Sequence, residues 1–126
     1  MVIAYQLVVH SFLEDHQGKT CENAHWIIDK EGAKKRINEK LGSNHTDNQV
    51  YNRSTIGLAI QGYLTEEVYV TAVKVAADIL HRHRWSIHRM IQHSDVMNCE
   101  GCGCPNNKAL NWKQFCLDVN DQLNKH

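Results

Sequence analysis

The sequence carries no surplus of charge of either sign. Fourteen Lys+Arg stand against 14 Asp+Glu, a formal net charge of +0 at pH 7. That is a poor footprint for nucleic acid, which is met by a basic surplus on one face. No apolar run approaches the length that spans a bilayer, so neither nucleic acid nor membrane is expected as a partner. The opening MVIAYQLVVHSFLEDH lacks a basic segment ahead of its apolar stretch, and a histidine and acids follow at once. It reads as a strand and not as a signal peptide, which predicts synthesis in a cytoplasm. Internal repeats, low-complexity tracts and linkers are also missing. The 126 residues therefore fit one domain, 1–126, able to bury roughly two-thirds of its unfolded surface. With 42% hydrophobic and 22% charged residues, disordered, collagen-like and coiled-coil classes are excluded.

Histidine is present in excess, nine residues in all, and both metal sites and pH-sensitive sites draw on it. The five cysteines are an odd count, so at least one has no partner within the chain. Cys99, Cys102 and Cys104 crowd together at a spacing better suited to metal or redox chemistry than to a secreted disulfide framework. Cys21 and Cys116 read as small buried hydrophobes.

Val2 to Val9 is apolar and β-branched enough for a strand buried on both faces. After a loop from Ser11 to Asn23, His25–Asp29 reads as a second strand closed by a turn through Gly32, with Arg36 and Ile37 in a short return strand. Leu41 to Ser54 is polar and reads as the longest loop, and Thr55 to Gln61 as another apolar strand. Thr65 is an N-cap candidate, followed by Glu66 and Glu67 where a helix dipole favours acids. Ala72, Val73, Ala76, Ile79 and Leu80 keep helical spacing to about Arg84. Ile87 to Gln92 reads as a short strand, Ser94 to Lys108 as a loop, and Asn111 to Leu123 as a helix with Trp112, Phe115, Cys116 and Val119 inward. Trp26 is also assigned to the core. Strands alternating with helices indicate α/β, a central sheet covered by helices.

His10 and His93 each stand at the C-terminal end of an apolar strand, where open α/β sheets gather their ligands. Taken singly, each could be an ordinary strand-end histidine. A thiolate from the following Cys-rich loop beside two neutral imidazoles gives three zinc ligands and an open fourth position, the arrangement of a catalytic zinc. A local alternative is a closed Cys3His knuckle of His93, Cys99, Cys102 and Cys104, which would be structural. Cys99-x-x-Cys102 as a redox pair has no thioredoxin-like βαβ context before it.

The ordered segments Leu7-Val8-Val9-His10-Ser11, Ala24-His25-Trp26-Ile27-Ile28-Asp29-Lys30-Glu31-Gly32, Tyr51-Asn52-Arg53-Ser54-Thr55-Ile56-Gly57, Gln92-His93-Ser94-Asp95-Val96 and Cys104-Pro105 closely resemble the zinc-dependent N-acetylmuramoyl-L-alanine amidases. That superfamily includes phage endolysins and the peptidoglycan recognition proteins. The resemblance covers nearly the whole chain. It implies a single domain with a mixed central β-sheet flanked by helices, and zinc bound by His10, His93 and Cys104. The implied reaction is metal-assisted hydrolysis of the lactyl-amide bond between N-acetylmuramic acid and L-alanine, with zinc acidifying a water to a pKa of about 7 and polarising the carbonyl. The implied partner is peptidoglycan, met by a monomer of endolysin type. Such a protein is made in a host cytoplasm if it is a phage's, and acts on the cell wall.

The chain departs from the family's pattern at several points. The segment between His10 and the HWIID motif is short, so a helix that usually lies there is expected to be lost. Ala24 stands where many active members carry a tyrosine, Ala59 where some carry a glutamate, and Cys102 where active members often have Lys or Thr. His25 and Cys102 remain as weak candidates for a catalytic role. These losses keep open a second reading, a non-catalytic peptidoglycan-binding module of the same fold.

Other polar residues carry two readings each. His45 resembles a histidine lining the substrate groove in relatives, or is a solvated loop residue. Asn52 could bond the peptide stem, or serve turn chemistry. Asp95 is expected to orient its loop or a ligand and not to act as a base. His81, His83 and His88 are expected at a solvated helix end.

Overall fold

A computed structural model describes residues 3–12, 23–46, 48–96 and 110–126. Five strands, β1 (Gln6–Phe12), β2 (Trp26–Asp29), β3 (Gly32–Lys35), β4 (Thr55–Gln61) and β5 (Met90–Gln92), form one sheet in the order β3-β2-β4-β1-β5. β1 runs parallel to β4 and β5, β2 runs parallel to β4, and β3 is antiparallel to β2. The sheet is therefore mixed. Among the described residues three helices accompany it: α1 (Gln49–Ser54), α2 (Glu66–His83) and α3 (Trp112–Leu123).

The central strands are apolar on both faces because both faces are covered. Alternation sends Leu7 and Val9 of β1 and Ile56, Leu58 and Ile60 of β4 to one side. There they meet the apolar stripe of α2, from Val68 to Leu80, and Phe115 and Val119 of α3. The alternate positions, Val8 and His10 on β1 and Thr55, Gly57 and Ala59 on β4, belong to the opposite face by the same rule. One face of the sheet makes the core, and the other carries the histidines.

α2 is terminated at both ends by local chemistry. The Thr65 hydroxyl accepts from the Val68 amide at 3.2 Å. At the far end Arg84 sits at φ 59, its amide on the His81 carbonyl and the Trp85 amide on that of Leu80, the paired closure of a Schellman motif. Gly32 ends the β2–β3 turn at φ 115, a positive φ that glycine adopts without strain. The Tyr69 hydroxyl donates to Asp118 and fastens α2 to α3.

Four local expectations are corrected. The first strand is Gln6–Phe12 and not Val2–Val9, because its ladder with β4 runs from Gln6–Thr55 to Phe12–Gln61, and His10 and Ser11 lie within it. The return strand is β3 and not Arg36–Ile37, because Asp29 pairs directly with Gly32 and the hairpin closes at once. The loop expected from Leu41 to Ser54 ends in α1, whose Asn48 cap accepts from the Val50 and Tyr51 amides at 2.9 and 3.3 Å. The strand expected over Ile87–Gln92 begins only at Met90, since Ile87–Arg89 form a single 3-10 turn.

Candidate functional site

The register of two parallel strands creates the site. Val9 of β1 pairs with Gln92 of β5, so the next residues, His10 and His93, lie side by side at the carboxyl end of the sheet. Their Nδ1 atoms are 3.1 Å apart although 83 positions separate them in sequence. His10 and His45 are 0% exposed and His93 is 2% exposed. His93 opens a 3-10 turn, His93–Asp95, whose Asp95 carboxylate accepts the Gln92 amide at 3.2 Å. Asp95 thus orients the histidine-bearing turn, as anticipated.

His45 completes a row of three rings. Its Nδ1 lies 3.0 Å from His10 Nε2, and its Nε2 lies 3.0 Å from the Thr55 hydroxyl. The groove or solvated-loop position read from the sequence gives way to a fully buried one. Its loop is held by Asn52, also buried, whose side-chain oxygen accepts the Thr46 amide and whose side-chain nitrogen donates to the Thr46 carbonyl, both at 2.9 Å. Asn52 faces inward, so its side chain serves turn chemistry.

His25 is buried beside them but spends both nitrogens on backbone. The Gly57 amide donates to Nδ1 at 3.0 Å, and Nε2 donates to the Leu41 carbonyl at 2.7 Å. It ties β4 to the loop over Leu41, a scaffolding task and not that of a proton-transfer group. Ala59 pairs with His10 across the β1–β4 ladder, and Ala24 lies buried against Ala59. Methyl groups therefore occupy the two positions, 24 and 59, where the resemblance leads to the expectation of a tyrosine or a glutamate.

Burial favours the neutral form of His45 and of His25. His45 is held well below the ordinary imidazole pKa, first by desolvation and then by the neighbouring His10, His25 and His93. His25 is also lowered by burial, partly offset by the Leu41 carbonyl and Glu39. Neutral imidazoles are the form that binds metal.

Glu39 anchors the same loop from the other end. Its carboxylate accepts from Trp26 Nε1 at 2.7 Å, from both terminal nitrogens of Arg82 at 3.1 and 2.7 Å, and from His83 Nε2 at 2.9 Å. Desolvation raises its pKa, but these hydrogen bonds outweigh it and bring the group down to about 2. His83 also stacks on Trp85. His83 was expected to be merely solvated and is instead a fastening. Three concavities, of about 610, 440 and 380 Å³, lie elsewhere on the surface, and none is lined by a buried histidine.

A shared metal can be tested against the His10–His93 pair. Two imidazole nitrogens on one tetrahedral zinc at 2.0–2.1 Å stand about 3.3 Å apart, close to the 3.1 Å found. Among the described residues no group of three His, Cys, Asp or Glu could hold a metal ion. A third donor would have to come from outside the described residues. Cys99, Cys102 and Cys104 lie there, as does Cys21. Cys116 is half-buried against the core with its thiol pushed up by burial, in keeping with a packing role.

Thr55, Gly57 and Glu39 were not singled out in the sequence. Gly57 had a readable signal, since a glycine inside an apolar strand marks close approach of another group. A Cβ there would stand 2.8 Å from His45 Cγ and Nδ1.

Comparison with known proteins agrees with this architecture. N-acetylmuramoyl-L-alanine amidase LysC from Clostridium intestinale URNW is similar in fold, with a TM-score of 0.72 at 17% identity over 94% of this chain and 87% of that one. The catalytic domain of XlyA gives 0.73 at 14% identity over 94% and 88%. A mutant endolysin from Bacillus subtilis gives 0.72 at 15% over 92% and 85%. No curated protein sequence matches the chain significantly. The family model described as N-acetylmuramoyl-L-alanine amidase, Amidase_2, matches residues 5–107, a span that includes both strand-end histidines, the buried His45 and Cys104. The chain belongs to the N-acetylmuramoyl-L-alanine amidase family.

Proposed function

We propose that this chain is a zinc-dependent hydrolase of the amide bond between N-acetylmuramic acid and L-alanine in bacterial peptidoglycan, of phage endolysin type. It would act as a monomer on the cell wall after synthesis in the host cytoplasm. The observation that carries the reading is the buried His10–His93 pair, set 3.1 Å apart at the carboxyl ends of β1 and β5 in a chain of this family. His10 and His93 would hold the ion with Cys104 as third ligand. When bound, zinc supplies the Lewis acidity that polarises a carbonyl and acidifies water. The chain's own contribution is to fix two imidazoles side by side in a buried place. Beyond that, Ala24 and Ala59 supply no proton-transfer group.

Digestion of purified peptidoglycan tests this. Cleavage of the lactyl amide frees the α-amino group of L-alanine and creates no new reducing sugar end. Zinc-dependent release of amines is the expected result, lost with a chelator and restored by zinc. Full activity without metal overturns the zinc assignment. New reducing ends overturn the bond assignment. The two alanines beside the site favour a second reading, a peptidoglycan-binding module without turnover. It predicts sedimentation with the polymer and no release of amines. Cys104→Ser should abolish zinc binding while Cys99→Ser and Cys102→Ser retain it. Loss of zinc in Cys99→Ser and Cys102→Ser with metal retained in His10→Ala would identify the local Cys3His knuckle instead.

A further inference from the structure

We propose that His45, Thr55 and the Tyr51 carbonyl form a one-way hydrogen-bond relay that fixes the proton of His10 on Nε2 and turns its bare Nδ1 toward His93. His45 is then a positioning residue, not a substrate contact. The link to zinc rests on the function proposed above, whereas the tautomer assignment stands without it.

The direction follows from the end of the chain that cannot reverse. The Tyr51 carbonyl only accepts, and the Thr55 hydroxyl donates to it at 2.6 Å. That uses the single hydroxyl proton, so the Thr55 oxygen can only accept from His45 Nε2, 3.0 Å away. A neutral imidazole carries one N–H, so His45 Nδ1 is bare and accepts from His10 Nε2, also at 3.0 Å. His10 Nδ1 is left as a lone pair, 3.1 Å from His93 Nδ1. Metal-bound histidines ordinarily hand their other N–H to a carboxylate, a carbonyl or water, which sets the tautomer. Here a second imidazole takes that place and passes the constraint to a backbone carbonyl. β4 provides for it twice on one face: Thr55 gives the hydroxyl, and Gly57 gives the space that any Cβ would take from the His45 ring.

Two measurements on the full chain decide the matter. In the metal-free protein, 15N NMR of the imidazoles should show His10 as the Nε2–H tautomer. Finding it as Nδ1–H overturns the relay. Zinc affinity, read by competition with a chelator, should fall roughly 10- to 100-fold in Thr55→Val, the range for loss of such an outer contact. Thr55→Ser, which keeps the hydroxyl and loses the methyl, should bind like the parent. A purely packing role predicts the opposite order, and Ser weaker than Val would overturn the proposal. If the parent protein binds no zinc, the zinc reading fails, and the NMR tautomer alone still decides the relay.

Discussion

Eight of the histidines lie among the described residues, and they form two sets of four. His10, His25, His45 and His93 are buried, spread from one end of the chain to the other, and bonded through their ring nitrogens to one another or to backbone. His81, His83, His88 and His126 lie at the periphery, and three of them fall within one short stretch of sequence. Two of this set stack on each other, His81 on His126 at 4.3 Å between ring centres. Crowding in the sequence thus marks the surface set. The buried set is gathered by strand register and by one loop returning over a glycine.

The largest effect expected from this contrast concerns the metal. His10→Ala and His93→Ala should each abolish zinc binding and amide hydrolysis, because each removes one of the proposed ligands from a buried site. His81→Ala and His88→Ala should leave zinc content and amine release within about twofold, as surface substitutions rarely matter by more than about 0.5 kcal/mol. Loss of zinc in His88→Ala would break the comparison.

Much of this division was legible in the sequence. His10 and His93 announce themselves because each follows an apolar run, and strand ends are where parallel sheets place their chemistry. Thr65 and the stripe of α2 were equally plain, since capping and 3.6-residue periodicity are local. The positions of His25, His45 and Asn52 were not. Their environments depend on how the segment from Arg36 to Thr46 folds back, and that segment is fixed by distant partners: Glu39 by Arg82 and His83, His45 by His10 and Thr55. α1 escaped notice because it is short and its sole strong signal, the Asn48 cap, sits within a polar run.

Acid should separate the two sets next. His25 and His45 have lowered pKa values in the fold, so the unfolded chain binds more protons once the pH drops below about 6.5. Their contribution to stability is complete above that pH and is lost below it, at about 1.4 kcal/mol per pH unit for each proton taken up. Urea unfolding of the metal-free protein between pH 7.5 and 5 should show the decline. The Glu39 contribution behaves differently: with a folded pKa of about 2 it persists until the pH falls below about 4.5. A stability curve flat from pH 7.5 to 5 would contradict the lowered pKa values of His25 and His45.

Gly57→Ala tests the packing of the buried set alone. The new methyl would meet a ring that is wedged between His10 and Thr55, so relief requires moving His45 or the strand. Overpacking of this kind costs about 1–3 kcal/mol, measurable by urea unfolding. A neutral result would mean that the loop bearing His45 yields easily, and the buried row would then be less rigid than its hydrogen bonds indicate.

The smallest effect concerns the peripheral set and asks whether it is only solvated. His83→Phe should keep a ring against Trp85 and remove one of the donors to Glu39, while Arg82 and Trp26 still hold that carboxylate. Loss of a single hydrogen bond to a charged group that retains other partners should cost about 1 kcal/mol. It should also let the Glu39 pKa rise from about 2, which moves the acid limb of stability upward. Zinc affinity should not change, because the hydrogen-bonded row of His10, His45 and Thr55 secures its own end of the loop. Should His83→Phe weaken zinc binding as Thr55→Val is expected to, the two sets would prove to be mechanically joined through the segment between Glu39 and His45.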